Sequence, residues 1–326
     1  MSVRSWRRVA LIALTVFAVS AAARPVPRAE AASPLMFGAR TFERPGQTST
    51  QAVQAFEAAV GRKLDVVRIF KLWNNSFPDA HANWLADTGH TVMVSVRSRK
   101  TTGNISWSAI ANAQPGSALY NDMVGWANKV KAYRGQVYFA FHHEPEAVES
   151  LPYGNASDFR AAWRKFVGIM KAQGVSNAKY VWIMTDWSFW VGASDRRQAI
   201  KWYPGDTFVD AIAADAYNWH KCRGRNERWW SLEDNLKALV WFGGAHPREE
   251  LWLAEWGSAE DPAVPGRKGE WFRDARATFK KPGWDQFRGI VYFNYPGEQN
   301  CYWPIDSSAS ATNAFRSLAL DPFYDA

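Results

Sequence analysis

Two glutamates stand where a short apolar run stops: Glu144 in Tyr138-Phe-Ala-Phe-His-His-Glu-Pro-Glu146, and Glu255 in Leu251-Trp-Leu-Ala-Glu-Trp-Gly257. A carboxyl carried to the end of an apolar strand is partly withdrawn from water, which favours its protonated form. A second carboxylate nearby drives the two proton affinities apart, and one protonated with one ionised carboxyl is what acid-assisted nucleophilic displacement needs. Asp186 and Asp215 also follow or end apolar runs; Asp215 reads as structural, and the role of Asp186 stays open. His143, beside Glu144, reads as a supporting group next to substrate. Tryptophans gather at the same kind of position: Trp187, Trp190, Trp219, Trp256 and Trp303. The apolar face of a sugar ring stacks on such side chains, so they mark platforms for a polysaccharide. Trp126, Trp163 and Trp241 fall in helical segments and read as packing.

Other chemistries lack their residues. His142-His143-Glu144 has no second His three residues after the His-Glu pair, so the metalloprotease signature is missing, and neither a catalytic metal nor another cofactor is expected. The glycine-rich phosphate loops and the Gly-x-Ser-x-Gly elbow are absent too, which argues against nucleotide chemistry and serine hydrolysis.

The elements that must position these groups follow from the hydrophobic pattern. Eight apolar, β-rich runs begin at Leu35, Val66, Thr91, Gln136, Tyr180, Phe208, Leu251 and Gly289. They read as continuous rather than alternating, as strands covered on both faces do. Helical segments lie between them, among them Gln51 to Val60 closed by Gly61, Leu119 to Tyr133, Asp158 to Gln173, and Leu232 to Phe242 entered through Ser231-Leu-Glu-Asp234 and closed by Gly243-Gly244. Eight such units in one chain of 326 residues predict an α/β fold, a single-domain (β/α)8 TIM barrel over residues 33–326. An open doubly wound sheet is the alternative. In the barrel the active site sits at the C-terminal ends of the strands, which is where Glu144 and Glu255 fall.

Residues 1–31 read as an export signal: Arg4, Arg7 and Arg8, the apolar run Val9 to Ala23, and the Ala29-Glu30-Ala31 cleavage site. The apolar run is shorter than the ~18 to 20 residues a membrane span requires. That segment carries five Arg against one Glu, so the formal +8 becomes +4 in the mature chain, without a block of Lys and Arg. A secreted monomer is expected, with a polysaccharide as partner and neither nucleic acid nor, after cleavage, a membrane. In an exported chain an even cysteine pair is oxidised, which predicts a bridge between Cys222 and Cys301. Both lie in loops on the catalytic side, after the sixth and eighth runs.

The motifs resemble glycoside hydrolase family 26, the mannanase-type family in the clan of (β/α)8 retaining glycosidases. His143-Glu144 is similar to its acid/base motif and Ala254-Glu255-Trp-Gly257 to its nucleophile motif. Tyr203-Pro-Gly-Asp206, Val209-Asp210 and Asp215-Ala-Tyr217-Asn218 resemble the strand-six stretch, and Trp303-Pro-Ile-Asp306-Ser307-Ser308 the ending after strand eight. The family usually has Arg-Pro ahead of the His-Glu and Asn two residues after it; this chain has Ala140-Phe141 and Glu146. The resemblance implies Glu144 as proton donor, Glu255 as nucleophile, a Tyr217 hydroxyl donated to the nucleophile, and Trp303 stacking on the sugar at the cleavage point. It also implies endo-acting hydrolysis of β-1,4-mannan, with β-1,3-xylan or mixed-linkage β-glucan as alternatives within the family. A non-catalytic polysaccharide-binding barrel would carry the same aromatics but would tend to lose one of the two glutamates, and both remain.

Overall fold

The computed structural model describes residues 34–223, 228–297 and 301–325, so the export signal expected over 1–31 lies outside the described residues. The eight runs form eight parallel strands: β1 Met36–Arg40, β2 Val66–Leu72, β3 Thr91–Arg97, β4 Val137–Phe141, β5 Ala178–Thr185, β6 Ala211–Asn218, β7 Glu250–Ser258 and β8 Phe287–Phe293. Each pairs with its sequence neighbour, and β8 pairs with β1 through Met36 opposite Gly289, which closes the sheet into a TIM barrel. Closure excludes the open-sheet alternative. No helix among the described residues is long and apolar enough to cross a membrane.

The strands close because both of their faces are covered. Val66, Met93, Tyr138, Val181, Ala213 and Trp252 fill the interior with alternate residues of successive strands, and Tyr138 and Trp252 meet with ring centroids 4.4 Å apart. The remaining apolar residues face the surrounding helices in one larger cluster. The helices begin on side-chain caps: Thr48 accepts from the Gln51 N–H, and Ser231 from the Asp234 N–H. Gly61, at φ 83°, closes the first helix as expected, whereas Gly243 and Gly244 are the last two residues of helix Leu232–Gly244 instead of its stop. Trp126 and Trp163 pack as expected; Trp241 does not, being 78 % exposed on the outward side of its helix.

Two strands run further than their hydrophobicity suggests. β6 continues through Asp215 to Asn218 and β7 through Glu255 to Ser258, so the polar residues that end the apolar runs lie within paired backbone. β7 also holds one residue more than its partners: Ala214 faces Leu253 while the next residue, Asp215, faces Glu255, and across the other edge Ile290 faces Leu253 while Tyr292 faces Trp256. Such a bulge breaks strict in-out alternation and re-aims the side chains beyond it.

Beyond the strand ends, the expected bridge joins the β6 and β8 loops, with the Cα atoms of Cys222 and Cys301 4.8 Å apart. It closes a segment of 79 residue steps, so its reduction is expected to lower unfolding free energy by roughly 4 kcal/mol on the chain-entropy argument. Thiol titration of the unfolded, unreduced protein should find no free thiol, and two per chain would refute the bridge. At the barrel wall, a Cβ on Gly38 would lie 2.4 Å from the Val66 carbonyl oxygen, a backbone atom that cannot step aside. Gly38→Ala should therefore cost at least about 1 to 3 kcal/mol in urea unfolding. The control Gly125→Ala, in open space within helix Ala118–Ala132, should be neutral or stabilising by up to about 1 kcal/mol.

Candidate active site

At the C-terminal mouth of the barrel the charged groups come from four strands. Alternation along β2 turns Val66 and Arg68 inward, and along β6 it turns Ala213, Asp215 and Tyr217 inward. The bulge in β7 turns Glu255 to the same place. Arg68 is fully buried, and its Nη2 lies 2.9 Å from Glu255 Oε1. Its Nη1 lies 3.6 Å from Asp215 Oδ1 and donates to the Ala254 carbonyl at 3.0 Å. The Tyr217 hydroxyl donates to the other Glu255 oxygen at 2.5 Å. Both oxygens of Glu255 thus face a partner, one the charge of a guanidinium and the other the hydrogen bond of a phenol, and the carboxyl group is fixed in direction.

Glu144 arrives differently, on a backbone that leaves the strand by force. His142 and Glu144 both have left-handed φ values, 49° and 50°, an uncommon state for non-glycine residues. Hydrogen bonds hold this path. The Glu144 N–H donates to the Ile183 carbonyl at 3.0 Å, and the Ser150 hydroxyl donates to the Glu144 carbonyl at 3.0 Å. The same hydroxyl lies 3.1 Å from His142 Nε2, while His142 Nδ1 takes the Ser98 N–H at 3.3 Å and lies 2.7 Å from the Ser98 hydroxyl. A backbone N–H can only donate, so Nδ1 is the acceptor and the proton of the neutral ring is on Nε2. Burial keeps this imidazole far below the usual histidine range, which fits that assignment.

Protonation follows the crowding. Burial first, and then the Glu255 and Glu146 charges, hold the Glu144 carboxyl well above its ordinary value. Asp215, neither of whose oxygens has a hydrogen-bond partner, is likewise raised by burial and by Glu255. Burial also lifts Asp186, to about 7, against backbone hydrogen bonds at Trp187 and at Asp186 itself. His143 is pushed well down, mainly by burial and then by the Arg68 charge, and its ring lies 5.3 Å from that of Phe70. Donor atoms of His143, Glu144 and Asp215 lie within 4.8 Å of one another, a spacing a metal could use; Arg68 already supplies the balancing positive charge there.

The residues expected from sequence divide clearly. Glu144, His143, Tyr217 and Glu255 meet in one site. Trp187 is half-buried at the rim, with the Arg197 guanidinium 4.0 Å above its ring. Two platforms are corrected. Trp256 is fully buried on the outer face of β7, against Trp271 at 5.5 Å and Tyr292 at 5.0 Å, because the bulge that turns Glu255 inward turns its neighbour outward. Trp303, 1 % exposed, offers no open face; it backs Tyr217 at 5.0 Å and Trp219 at 4.9 Å. The loop that carries Trp303 is clamped by buried Lys268, whose ammonium donates to the Trp303 and Pro304 carbonyls at 3.0 and 2.9 Å. Open aromatic surface at this end comes instead from Phe70, Trp190 and Tyr302.

Arg68 was missed, although it had a signal: one arginine inside Val66-Val67-Arg68-Ile69-Phe70, where a buried charge demands an anionic partner. Glu146 gave none. It is fully buried, and its Oε1 accepts from the Thr185 N–H, the Thr185 hydroxyl and the Ser188 hydroxyl at 2.8, 2.6 and 2.7 Å.

No family model matches the chain. Endoglucanase H of Acetivibrio thermocellus is 26% identical over 279 residues, which cover 83% of this chain and 29% of that protein, so the chain spans less than a third of its relative's length. The catalytic domain of a family 26 endo-β-1,4-mannanase from Bacillus sp. JAMB-750 superposes with a TM-score of 0.62 at 16% identity, over 89% of this chain and 86% of that one. A modular endo-β-1,4-mannanase from Cellulomonas fimi gives 0.61 at 18% identity, over 89% and 71%, and a β-mannanase from Bacteroides ovatus 0.58 at 16%, over 89% of each. With a closed barrel that presents one glutamate after β4 and another on β7, the chain has the fold of glycoside hydrolase family 26.

Proposed function

We propose that the chain is a secreted, endo-acting retaining β-glycosidase whose substrate is a β-1,4-linked mannan. One observation carries the reading: two glutamates share one mouth in unlike settings, Glu144 pushed well above its ordinary value by burial and by its neighbour's charge, Glu255 held between Arg68 and the Tyr217 hydroxyl. In the first step a Glu255 oxygen attacks the anomeric carbon while Glu144 gives its proton to the departing glycosidic oxygen, so that no free alkoxide forms. In the second step ionised Glu144 takes a proton from water, whose oxygen displaces Glu255 and restores both carboxyls. Neither step calls for a cofactor. Tyr217 and Arg68 fix the attacking oxygens; His143 and Trp187 line the sugar's approach. Export is supported by the N-terminal pattern of residues 1–31 and by the Cys222–Cys301 bridge.

Mannan is favoured by the names of structural neighbours, among them the three β-mannanases described above. The relative named an endoglucanase supports β-glucan as the second reading. Release of new reducing ends from a panel of mannan, mixed-linkage glucan and β-1,3-xylan decides between them, and no release from any of the three would overturn the enzymatic reading.

The first product seen by NMR should keep the β configuration; an inverted anomer would remove Glu255 as nucleophile. Glu144→Ala should slow polysaccharide cleavage by about 10² to 10⁴-fold while sparing activated aryl glycosides, with azide restoring turnover through a glycosyl azide. Glu255→Ala should abolish both. Because the Glu255 charge helps to hold the Glu144 proton, Glu255→Gln should lower the Glu144 pKa, read from its carboxyl carbon shift in an NMR titration. An unchanged or higher value would show that the two groups do not share a field.

A further inference from the structure

The opposite end of the barrel holds a second cluster, outside the chemistry described above. Asp206 precedes β6, and His246 and Glu249 lie in the loop between helix Leu232–Gly244 and β7. A cavity of about 450 Å³ opens there, lined by Asp206, Asp210, Glu249 and Glu250 with Lys179 and Arg248. Two of these carboxylates are already used. Glu250 accepts from the Tyr138 hydroxyl and Trp252 Nε1 at 3.2 and 3.0 Å and pairs with Lys179, and Asp210 accepts the Tyr180 N–H at 2.7 Å. Glu249 is not satisfied. It is 5 % exposed, and its Oε2 has no hydrogen-bond partner. A buried carboxylate oxygen left unpaired is costly, and a cation would remove that cost.

The loop that carries it is built to stay in place. The Gln286 side-chain amide donates to the carbonyls of Gly243, His246 and Glu249 at 3.1, 2.9 and 2.8 Å, which ties both ends of His246-Pro-Arg-Glu249 to one group. The His246 ring is wedged between Tyr203 at 4.6 Å and Phe242 at 4.7 Å, and its Nδ1 lies 2.9 Å from Asp206 Oδ1. The Tyr203 hydroxyl donates to that same Asp206 oxygen at 2.9 Å, the kind of outer partner that orients a metal-binding carboxylate.

We propose that Asp206, His246 and Glu249 form a zinc-class divalent metal site that staples the loop before β6 to the loop before β7. Their donor atoms lie within 4.8 Å of one another; around a tetrahedral zinc ion with bonds of about 2.0 to 2.1 Å the ligand atoms lie about 3.3 to 3.4 Å apart, so the side chains close in by up to about 1.5 Å to complete the set. One imidazole with two carboxylates suits a borderline-soft ion better than calcium or magnesium, which take all-oxygen shells. Asp206 is 39 % exposed, which leaves room for a water as fourth ligand, and the competing Arg248, 85 % exposed and 4.0 Å from Asp206 Oδ2, is free to swing into solvent. The ion takes no part in hydrolysis; it cross-links the closed end of the barrel.

Zinc added to the chelator-treated full chain at neutral pH should bind with one equivalent by calorimetry and raise the melting temperature. His246→Ala and Glu249→Gln should each weaken binding by about 10-fold or more. Asp206→Asn, a near-isosteric change at the most exposed ligand, should do the same without threatening the fold. Glu144→Gln separates this site from the catalytic mouth and should leave both the binding and the melting shift intact. No binding by the wild type at millimolar zinc, full binding by Glu249→Gln and Asp206→Asn, or loss in Glu144→Gln alone would overturn the site.

Discussion

A single buried guanidinium sets the electrostatics of the mouth. Arg68 is the one positive group in direct contact with Glu255 and Asp215 among the described residues, while Glu144 sits within reach of Asp215. One cation cannot neutralise three carboxylates in a poorly solvated space, so protons must make up the difference. Burial and the Glu255 charge push the proton affinities of Glu144 and Asp215 up, and Asp215 has no hydrogen bond, whereas Glu255 faces the guanidinium and accepts the Tyr217 hydroxyl. The difference between the two glutamates is therefore one of surroundings, with both residues of the same type. The arginine comes from β2, and its contact with the Ala254 carbonyl locks it to β7.

The surroundings serve rigidity more than contact. His142 spends its ring between two serines under the chain that presents Glu144, and Lys268 spends its charge on the loop behind Tyr217. The aromatic abundance is used in the same way: Trp303 and Trp256 lie beneath the surface, and the disulfide closes the wall beside Trp219. A mouth so braced keeps its charges at fixed separations, which is where preorganised electrostatics gains over solvent.

The barrel was legible because eight apolar runs with helices between them leave few ways to cover every face. Glu144 and Glu255 were legible because charge at the end of such a run is rare and conspicuous. The failures have definite causes. Strand length could not be read where polar residues continue a ladder, as at Asp215 to Asn218. Trp256 was misplaced because alternation is invisible across a bulge, and Trp303 because exposure depends on which neighbours return over it. Asp206 and His246 lie 40 positions apart, and only closure of the barrel brings them together.

The extra residue in β7 has a consequence for how this chain can vary. Substitution changes one side chain at a time and leaves the strand's phase alone. Deleting one residue between Trp252 and Glu255 takes out the bulge and restores strict alternation with both side chains still inward, now two positions apart, and with Trp256 still among the helices. Descent can therefore lose this extra residue without taking the carboxylate out of the mouth, and the inward setting of Glu255 should be more durable than the spacing from Trp252 to Trp256.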